Sequence, residues 1–448
     1  MKAHAFKTMA VALLAITMML FASLASAVDK PFEPYKDTTI VVSWPSLPHF
    51  QLAKKLIPQF TKETGIKVEV DMLQYMRLHD RQVLEMGKPK GEFDVIAWVV
   101  LWKSEYGMKG MLTPMANFFS NPALVDPTYD INDIVEAYRV NGGVIGGSKP
   151  YLDGKGAALV GIPFSAQTSM MAYRKDLLEQ AGVKVPTTYD ELAEAVKIIK
   201  TKTGVGALTG RAQSGHHCTD FFLTHFAPQG GRILDENYKP ILNGPEGLKT
   251  LEYLKIFVEN GPTGMTGYSY AEMKNSFVQG DAAFYLDDSK IRKTAEDPKK
   301  SRIVGKVGYV LHPKGKVNAS GTGGFAMGVP ANAKNKEAGF LFIQWFTSKR
   351  IDRMLADMGG DPIRVSTMRD PVLQKKFPEY PTLVQQLEYA ETDWRPLLPE
   401  WGEMDSQIIG VAVNEYLTGN KSAKAALDEA ATKIEELLSR KGYYDWAK

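Results

Sequence analysis

Short β-branched segments alternate with helical segments near the start of the chain. "TTIVVSW" (38–44), "IKVEVDML" (66–73) and "FDVIAWVV" (93–100) have the composition of strands. Between the first two, "HFQLAKKLIPQF" (49–60) places its apolar residues on one helical stripe, which Pro58 is expected to kink. Strands that alternate with helices favour an α/β fold with a mostly parallel sheet.

A second unit of the same kind follows "GIPFS" (161–165). In "VPTTYDELAEAVKIIKTKTG", Thr188 and Glu191 have the spacing of a capping box, and an apolar face follows on the same helix. The chain has 448 residues, more than a single hydrophobic core usually serves. We therefore expect two lobes.

The first 27 residues have the pattern of a secretory signal peptide. A basic start with Lys2 and Lys7 precedes an apolar run, and "ASA" at 25–27 is a small-residue cleavage site. The run is too short for a comfortable membrane span, and a retained anchor is the alternative. The sequence thus predicts a periplasmic protein that begins near Val28.

The remaining composition excludes some partners. Removing Lys2 and Lys7 leaves 52 basic side chains of the 54, against 51 acidic ones, so no electrostatic footprint for nucleic acid or a membrane surface is present. Cys218 is the only cysteine and cannot form an internal disulfide, which predicts a core large enough to need none.

Four segments, in order, resemble the extracellular solute-binding proteins that serve ABC-type sugar importers. Their sequences are "GIPFSAQTSMMAYRKDLLEQAGVKVPTTYDEL", "FVQGDAAFYLDDS", "GGFAMGVPANAKNKEAGFLFIQWFTS" and "RPLLPEWGEM". Within this family, which includes maltose-binding protein, the sorbitol and mannitol receptors look nearest. "YRKDL" replaces the commoner asparagine version of that structural turn.

The resemblance implies an α/β, two-lobed periplasmic-binding-protein fold, with discontinuous lobes joined by a hinge and a cleft between them. Mapping the motifs predicts lobe one at 28–165 and 287–346, and lobe two at 166–286 and 347–448. It also implies a monomer that binds a sugar or polyol without a cofactor, closes on it, and delivers it to the membrane permease of an importer. Ligands independently favour such interfaces between lobes.

The segment "GRAQSGHHCTDF" (210–221) concentrates chemically active side chains. The resemblance places it at the cleft end of a strand, where Arg211 would donate hydrogen bonds to vicinal hydroxyls and His216 would lie nearby. The histidines, Cys218 and Asp220 could instead hold zinc, but neighbouring residues on one element point in different directions. Cysteine–histidine catalysis is a further alternative without identifiable partners.

Asp287 and Asp288 follow the apolar segment "AAFYL" at the predicted second crossing between lobes. A carboxylate accepts two hydroxyl hydrogens and suits a diol, whereas a carboxylate pair could also hydrolyse a glycoside. Because sequence neighbours on an extended segment face opposite ways, we expect only Asp287 to reach a ligand.

Aromatic side chains are expected beside the C–H faces of a sugar. Among the tryptophans, Trp44 and Trp394 lie at predicted element ends and Trp98 lies in the third strand. His49 and Gln167 are polar candidates on segments expected to face the cleft.

"GTGGFA" (321–326) fits part of a dinucleotide fingerprint, but no strand directly precedes it and no helix directly follows. We expect Gly324 to let the backbone approach the ligand closely, and Phe325 or its backbone to lie in the cleft wall. Asp361 and Arg364 form a further polar pair, which could also bridge to one another. Whether the cleft accepts an acidic sugar through Arg211 and Arg364 is left open by the sequence.

Three functions remain open at this point. The sequence favours a receptor for a hydroxyl-rich ligand over an exported carbohydrate-active enzyme, because it shows no convincing pair of catalytic carboxylates. A metal receptor that uses His216 and its neighbours is the third.

Overall fold

The computed structural model describes residues 31–445, so the predicted signal segment lies outside the described residues. The strands are β1 (Thr39–Pro45), β2 (Lys67–Leu73), β3 (Val95–Val99), β4 (Val144–Ile145), β5 (Ala158–Leu159), β6 (Ile162–Arg174), β7 (Gly206–Thr209), β8 (Ala282–Asp288), β9 (Val307–Val310), β10 (Ser320–Gly328) and β11 (Ala390–Glu391).

Helices surround these strands. They are α1 (Pro48–Lys54), α2 (Ile57–Thr64), α3 (Tyr75–Met86), α4 (Lys103–Met108), α5 (Ala116–Phe119), α6 (Glu136–Gly143), α7 (Lys175–Ala181), α8 (Tyr189–Thr203), α9 (His216–Phe226), α10 (Pro245–Glu259), α11 (Tyr270–Gln279), α12 (Arg292–Ala295), α13 (Lys336–Phe346), α14 (Lys349–Asp357), α15 (Val365–Met368), α16 (Pro371–Lys376), α17 (Tyr380–Leu387), α18 (Trp401–Glu403), α19 (Gly410–Leu417) and α20 (Ala423–Arg440). A π-helical segment, Met404–Ile409, joins α18 to α19.

The main sheet is mixed rather than mostly parallel. Its strand order is β2-β1-β3-β10-β6-β8-β7, with β9 paired to β6 and β11 to β10. The pairs β1–β2, β1–β3, β7–β8 and β10–β11 are parallel, whereas the pairs β3–β10, β10–β6 and β6–β8 in the middle of the sheet are antiparallel. The outer strands form βα units as the sequence predicted, but the middle strands interrupt the parallel order.

Two hydrophobic cores divide the molecule into lobes. We call lobe one the elements packed around β1, β3 and α13, whose core contains Trp44 and Phe342. Lobe two comprises the elements packed around β7, β8 and α9, whose core contains Leu208 and Phe222. Strand β6 belongs to both lobes, because its first half pairs with β10 and its second half pairs with β8 and β9.

Two of the predicted lobe assignments need correction. Within 287–346, Ile291 and Ile303 pack against Phe277 and Tyr285 of lobe two. The chain after β8 therefore stays on lobe two and covers one face of β8 before it returns to lobe one. Within 347–448, Ile351, Leu355 and Leu383 pack into the core of lobe one, and only the chain from about Trp394 onward joins lobe two.

The pairing of β6 with β10, where the chain crosses between the lobes, is irregular. Ser165 of β6 has φ +69° and Gly324 of β10 has φ +119°, and the pairing register shifts between Gly324 and Ala326. A Cβ on Gly324 would lie 2.3 Å from the Ser165 carbonyl oxygen. Glycine is therefore required here by the approach of two protein backbones.

Local helix signals are reproduced where the sequence was clearest. Thr188 and Glu191 form the predicted reciprocal capping box at the start of α8. Pro58 lies at the start of α2, so the predicted kink is a break between α1 and α2. Within 31–445, no helix combines the length and apolarity needed to span a membrane.

Candidate functional site

A cavity of about 580 Å³ lies between the two lobes. Three strands end at this cavity, and each places a lining residue there. His49 lies at the start of α1, just after β1; Arg211 follows β7; and Asp287 lies near the end of β8. Strand β1 from lobe one and the parallel pair β7 and β8 from lobe two run in opposite directions, and each presents its carboxyl end to the cavity, which is where open α/β sheets place their ligands. The site is thus a cleft with one wall from each lobe.

Arg211 organises the lobe-two wall. Its Nε and Nη2 donate to the two carboxylate oxygens of Asp287 at 2.8 and 3.0 Å, and its Nη1 donates to Asp220 at 2.9 Å. A guanidinium has five N–H groups, so two are left for other acceptors. Two carboxylates fix one guanidinium in place and neutralise its charge.

The network continues behind Asp220. His216 Nε2 lies 3.3 Å from the Asp220 carboxylate, and its Nδ1 lies 2.6 Å from Asp405 at the start of the π-helical segment. Arg395 Nη2 approaches the other oxygen of Asp220 at 3.1 Å. Buried charges of opposite sign therefore alternate along this wall, which limits the cost of burying each one.

Burial and pairing shift the ionisation of these groups in different directions. Burial raises the pKa of Asp287 to about 6, although Arg211 opposes the shift. Burial acts in the same direction on Asp220, but Arg395, Arg211 and His216 hold its pKa below the usual range. The Asp220 carboxylate raises the pKa of His216 against the effect of burial.

The lobe-one wall is built around Asp361. Its backbone N–H donates to His49 Nδ1 at 2.9 Å, and its carboxylate accepts from Ser165 Oγ at 2.6 Å. Lys290 and Lys293, just after β8, both pair with this carboxylate, Lys290 at 3.1 Å. These contacts tie the two lobes together at one side of the cleft.

The protonation states on this wall follow from burial and these lysines. Burial lowers the pKa of His49 to about 3, so the ring is neutral near pH 7 and its Nε2 carries the proton. Burial opposes ionisation of Asp361, but Lys290, Lys293 and His49 hold its pKa far below the usual range.

Nine of the predicted site residues line the cavity and lie within reach of a ligand. They are His49, Gln167, Arg211, His216, Asp287, Gly324, Phe325, Asp361 and Trp394. Asp288 also lines it, but its carboxylate accepts from the Lys290 backbone N–H and the Tyr285 hydroxyl.

Three predicted residues do not line the cavity, and these predictions are corrected. Trp44 is fully buried among Phe50, Phe164 and the aromatic residues of α13, because it points from β1 toward that helix. Trp98 is also fully buried and donates to the Gly142 carbonyl. Arg364 lies in the core of lobe one.

The contacts of Arg364 explain its placement. Its Nε donates to the Thr347 carbonyl at 2.7 Å, and its Nη1 donates to the Asp130 carbonyl and lies 3.2 Å from Asp133. Asp361 and Arg364 are therefore not paired with one another, since Asp361 binds lysines instead.

Trp394 reaches the cavity with little free ring surface. Arg395 lies 4.2 Å from the centre of its ring, and a Cβ on Gly321 would be 2.8 Å from three of its atoms. The indole therefore packs against Gly321 and Arg395 and leaves 7% of the residue exposed. By contrast, the Gln167 amide makes no hydrogen bond to another residue of the described chain and is free to contact a ligand.

The sequence interpretation missed several lining residues. They are Tyr75, Asp220 as a partner of Arg211, Tyr270, Lys274, Lys290, Lys293, Lys300 and Arg395. Arg395 directly follows Trp394, and Asp220 lies in the segment singled out as chemically active, so both signals were present. Tyr270 and Lys274 lie on an ordinary amphipathic helix, and no local pattern marks them.

The metal alternative receives no support from geometry. Among residues 31–445, no group of three or more histidine, cysteine, aspartate or glutamate side chains is arranged to hold an ion. Cys218 is buried in the core of lobe two, and His216 is occupied by two carboxylates.

Comparison with known proteins assigns this architecture. The family model of the bacterial extracellular solute-binding proteins matches residues 44–352. A crystal structure of an ABC transporter solute-binding protein from Agrobacterium radiobacter K84, in complex with ribitol, superposes with a TM-score of 0.76 at 31% identity. The match covers 90% of this chain and 99% of that one.

Two curated relatives are similar over most of their length. The mannitol-binding protein of Pseudomonas aeruginosa is 26% identical over 391 residues, 82% of this chain and 85% of the relative. A probable amino-acid ABC transporter periplasmic-binding protein of Sinorhizobium fredii is 25% identical over 403 residues, 88% of each chain.

The chain belongs to the bacterial extracellular solute-binding protein family. The match confirms the predicted family and, with the ribitol-bound structure, the two-lobed fold. It also confirms the expectation of a binding protein rather than an enzyme.

Proposed function

We propose that the chain is the substrate-binding component of an ABC-type importer and captures a polyol or small sugar in the cleft between its lobes. The observation that carries this proposal is the Arg211 network. It presents fixed donors and acceptors side by side, and each hydroxyl of a diol can both donate and accept.

The rest of the cleft supports the same ligand class. A cavity of about 580 Å³ lies within the range of small-molecule sites. The positive charge of Arg211 is balanced by Asp287 and Asp220, so this part of the cleft has no uncompensated cation to attract an anion. The ribitol and mannitol relatives bind ligands of this kind.

Closure would occur about the segments that join the lobes. Strand β6 is shared between them, and the chain crosses again near β10 and near β11. Ligand binding favours the closed state only if contacts to both walls form together. Gln167 on β6 and Tyr75 on lobe one line the same cavity as the Arg211 network and would supply the second set of contacts.

The same proposal includes export and delivery. Cleavage after Ala27 would release the protein to the periplasm, where the closed form would dock on a membrane permease as a monomer. Mass spectrometry of the secreted chain tests the cleavage site, and size-exclusion chromatography with light scattering tests the monomer.

Thermal unfolding of residues 28–448 against a ligand panel tests the binding function. The panel contains ribitol, mannitol, erythritol, maltose, amino acids and zinc. A ligand at about 100 times its Kd adds about 2.7 kcal/mol to the native state, which raises Tm by several degrees. A shift with polyols or sugars supports the proposal. A shift with amino acids alone, or with zinc alone, contradicts it.

A variant pair links such a shift to the network. Arg211→Lys keeps the charge but loses the planar fork, so the polyol shift is expected to disappear. Arg232→Lys alters a half-buried arginine outside the cavity that pairs with Glu391, and the shift is expected to remain.

A further inference from the structure

One end of the cavity is lined by lysines. They are Lys274 on α11, Lys290 and Lys293 just after β8, and Lys300 in the following loop. Lys290 and Lys293 share the single carboxylate of Asp361, and Lys300 pairs with Asp297. The cations at this end therefore outnumber the carboxylates that contact them directly.

Lys274 has no direct counter-ion in the part of the chain that the structure describes. Within residues 31–445, no carboxylate oxygen lies within 4 Å of its Nζ, although the side chain is half-buried. The charge of Asp288 acts on Lys274 from beyond that distance, and its carboxylate is engaged with the Lys290 backbone N–H and the Tyr285 hydroxyl. Burial lowers the pKa of Lys274, and the positive charges of Lys300, Lys290 and Lys293 act in the same direction.

Lys274 and Arg211 both lie close to the ring of Tyr270. Tyr270 has its ring centre 5.9 Å from Lys274 Nζ and 5.7 Å from the Arg211 guanidinium carbon. A linear ligand of four to six carbons can therefore contact the Lys274 ammonium and the Arg211 guanidinium at the same time. One end of the cleft is charge-compensated and suited to hydroxyls, whereas the other end has a cation that no carboxylate of residues 31–445 contacts directly.

We propose that the preferred ligand is a hydroxylated chain with one negatively charged end, a carboxylate or a phosphate, which Lys274 binds while the hydroxyls contact the Arg211 network. This inference rests on the proposed binding function and narrows its ligand class to acidic polyol derivatives. Neither arginine considered from the sequence provides the anion site. Arg211 is neutralised by two carboxylates and Arg364 is buried in lobe one.

Matched pairs of ligands test the proposal by calorimetry at low ionic strength. The pairs are erythritol with erythronate, ribitol with ribonate, and glucitol with gluconate, and glucitol 6-phosphate distinguishes phosphate from carboxylate. In at least one pair the acid is expected to bind about tenfold more tightly than the alditol, because an uncompensated, half-buried ammonium gains a partner.

Variants of Lys274 assign the preference to this residue. Lys274→Met keeps the apolar stem and is expected to abolish the preference for the acid while alditol binding persists. Lys274→Arg is expected to restore the preference. The matched control is Lys249→Met: Lys249 also lies on a helix of lobe two over a tyrosine, 4.7 Å from the ring centre of Tyr253, but outside the cavity. It removes the same charge and is expected to leave the preference unchanged.

The possible results separate the two proposals. A preference for the acid that only Lys274→Met removes supports this inference. Alditols that bind as tightly as their acids overturn it and leave the polyol proposal standing. An equal loss of preference in Lys249→Met would show a diffuse charge effect and also overturn it. If no member of any pair binds, both proposals fail.

Discussion

The two walls of the cleft differ in where the counter-ions of their buried charges come from. The lobe-two wall contains an alternating network in which Arg211, Asp287, Asp220 and His216 compensate one another within a single lobe. On the lobe-one wall, Asp361 obtains its partners, Lys290 and Lys293, from the chain that follows β8 of the other lobe.

The two walls are therefore expected to contribute differently to ligand recognition and to closure. A network completed within one lobe keeps its geometry whether the lobes are near or apart, so lobe two is preorganised for ligand. Pairs that join lobes depend on the angle between them, so Asp361 contributes to the stability of one arrangement. We expect ligand recognition to depend mainly on lobe two and closure to depend on lobe one.

The largest effect is expected from removing the centre of the lobe-two network. Arg211→Met would leave Asp287 and Asp220 buried without their main partner, and breaking such a buried pair costs about 3–5 kcal/mol of unfolding free energy. Ligand binding should be lost with it. Chemical denaturation and calorimetry measure the two effects.

The matched control for this variant is Arg232→Met, which breaks the half-buried pair with Glu391. It is expected to cost at most about 1 kcal/mol. Similar losses in the two variants would show that the network is no more important than a peripheral ion pair.

The next effect concerns the junction between the walls. Gly324→Ala places a Cβ 2.3 Å from the Ser165 carbonyl oxygen at φ +119°, so we expect a loss of about 1–3 kcal/mol. Gly323→Ala is the control, because the nearest atom to its Cβ, in the Gln167 side chain, is 3.9 Å away. Equal melting temperatures for the two variants would contradict a strained crossing.

A smaller effect is expected from the lobe-one wall. Asp361→Asn keeps the shape but removes the charge shared by Lys290 and Lys293, which are exposed enough to be solvated. We expect a cost of about 1–2 kcal/mol near neutral pH, below that of Arg211→Met.

The pH dependence of this cost has a definite sign. The folded pKa of Asp361 is depressed, so its contribution is present above the unfolded value of about 3.9 and is lost as pH falls below it. The difference in unfolding free energy between the wild type and Asp361→Asn should therefore shrink on acidification. A difference that grows at low pH would exclude the ion pairs as its source.

Sequence patterns were sufficient for the family and the two-lobed α/β class, because these depend on repeated signals. The strand at 38–44, the capping box at Thr188 and the segments that resemble the family each constrain the chain independently. The division into lobes was only partly predicted, since 351–383 packs in lobe one and 291–307 packs in lobe two. Amphipathic helices show that a face is buried but not which core buries it.

The site was predictable where a residue lies at the end of an element. Arg211, Asp287 and His49 follow or end elements near the cleft, and all three line it. Trp44 also lies near the end of a strand, yet its side chain points to the helical layer, because residue parity along a strand decides the face. Lys274 could be recognised only from the tertiary structure, because its distinguishing feature is that no carboxylate of residues 31–445 contacts its ammonium group.

The smallest effect we predict is spectroscopic and compares one histidine from each wall. Asp220 raises the pKa of His216 against the effect of burial, with Asp405 contributing, so its midpoint should lie above the ordinary 6.5. Burial lowers the pKa of His49 to about 3, so this ring should remain neutral down to about pH 4. NMR titration of labelled histidine measures the pKa values of both His216 and His49, and His217, whose pKa burial lowers, is the control.

Because the folded pKa of His216 is raised, its contribution to stability is full below about pH 6.5 and is lost as pH rises through the folded value. A His216 midpoint below 6.5 would mean that Asp220 and Asp405 do not hold the ring, and the lobe-two wall would then not be the self-contained network on which the comparison rests.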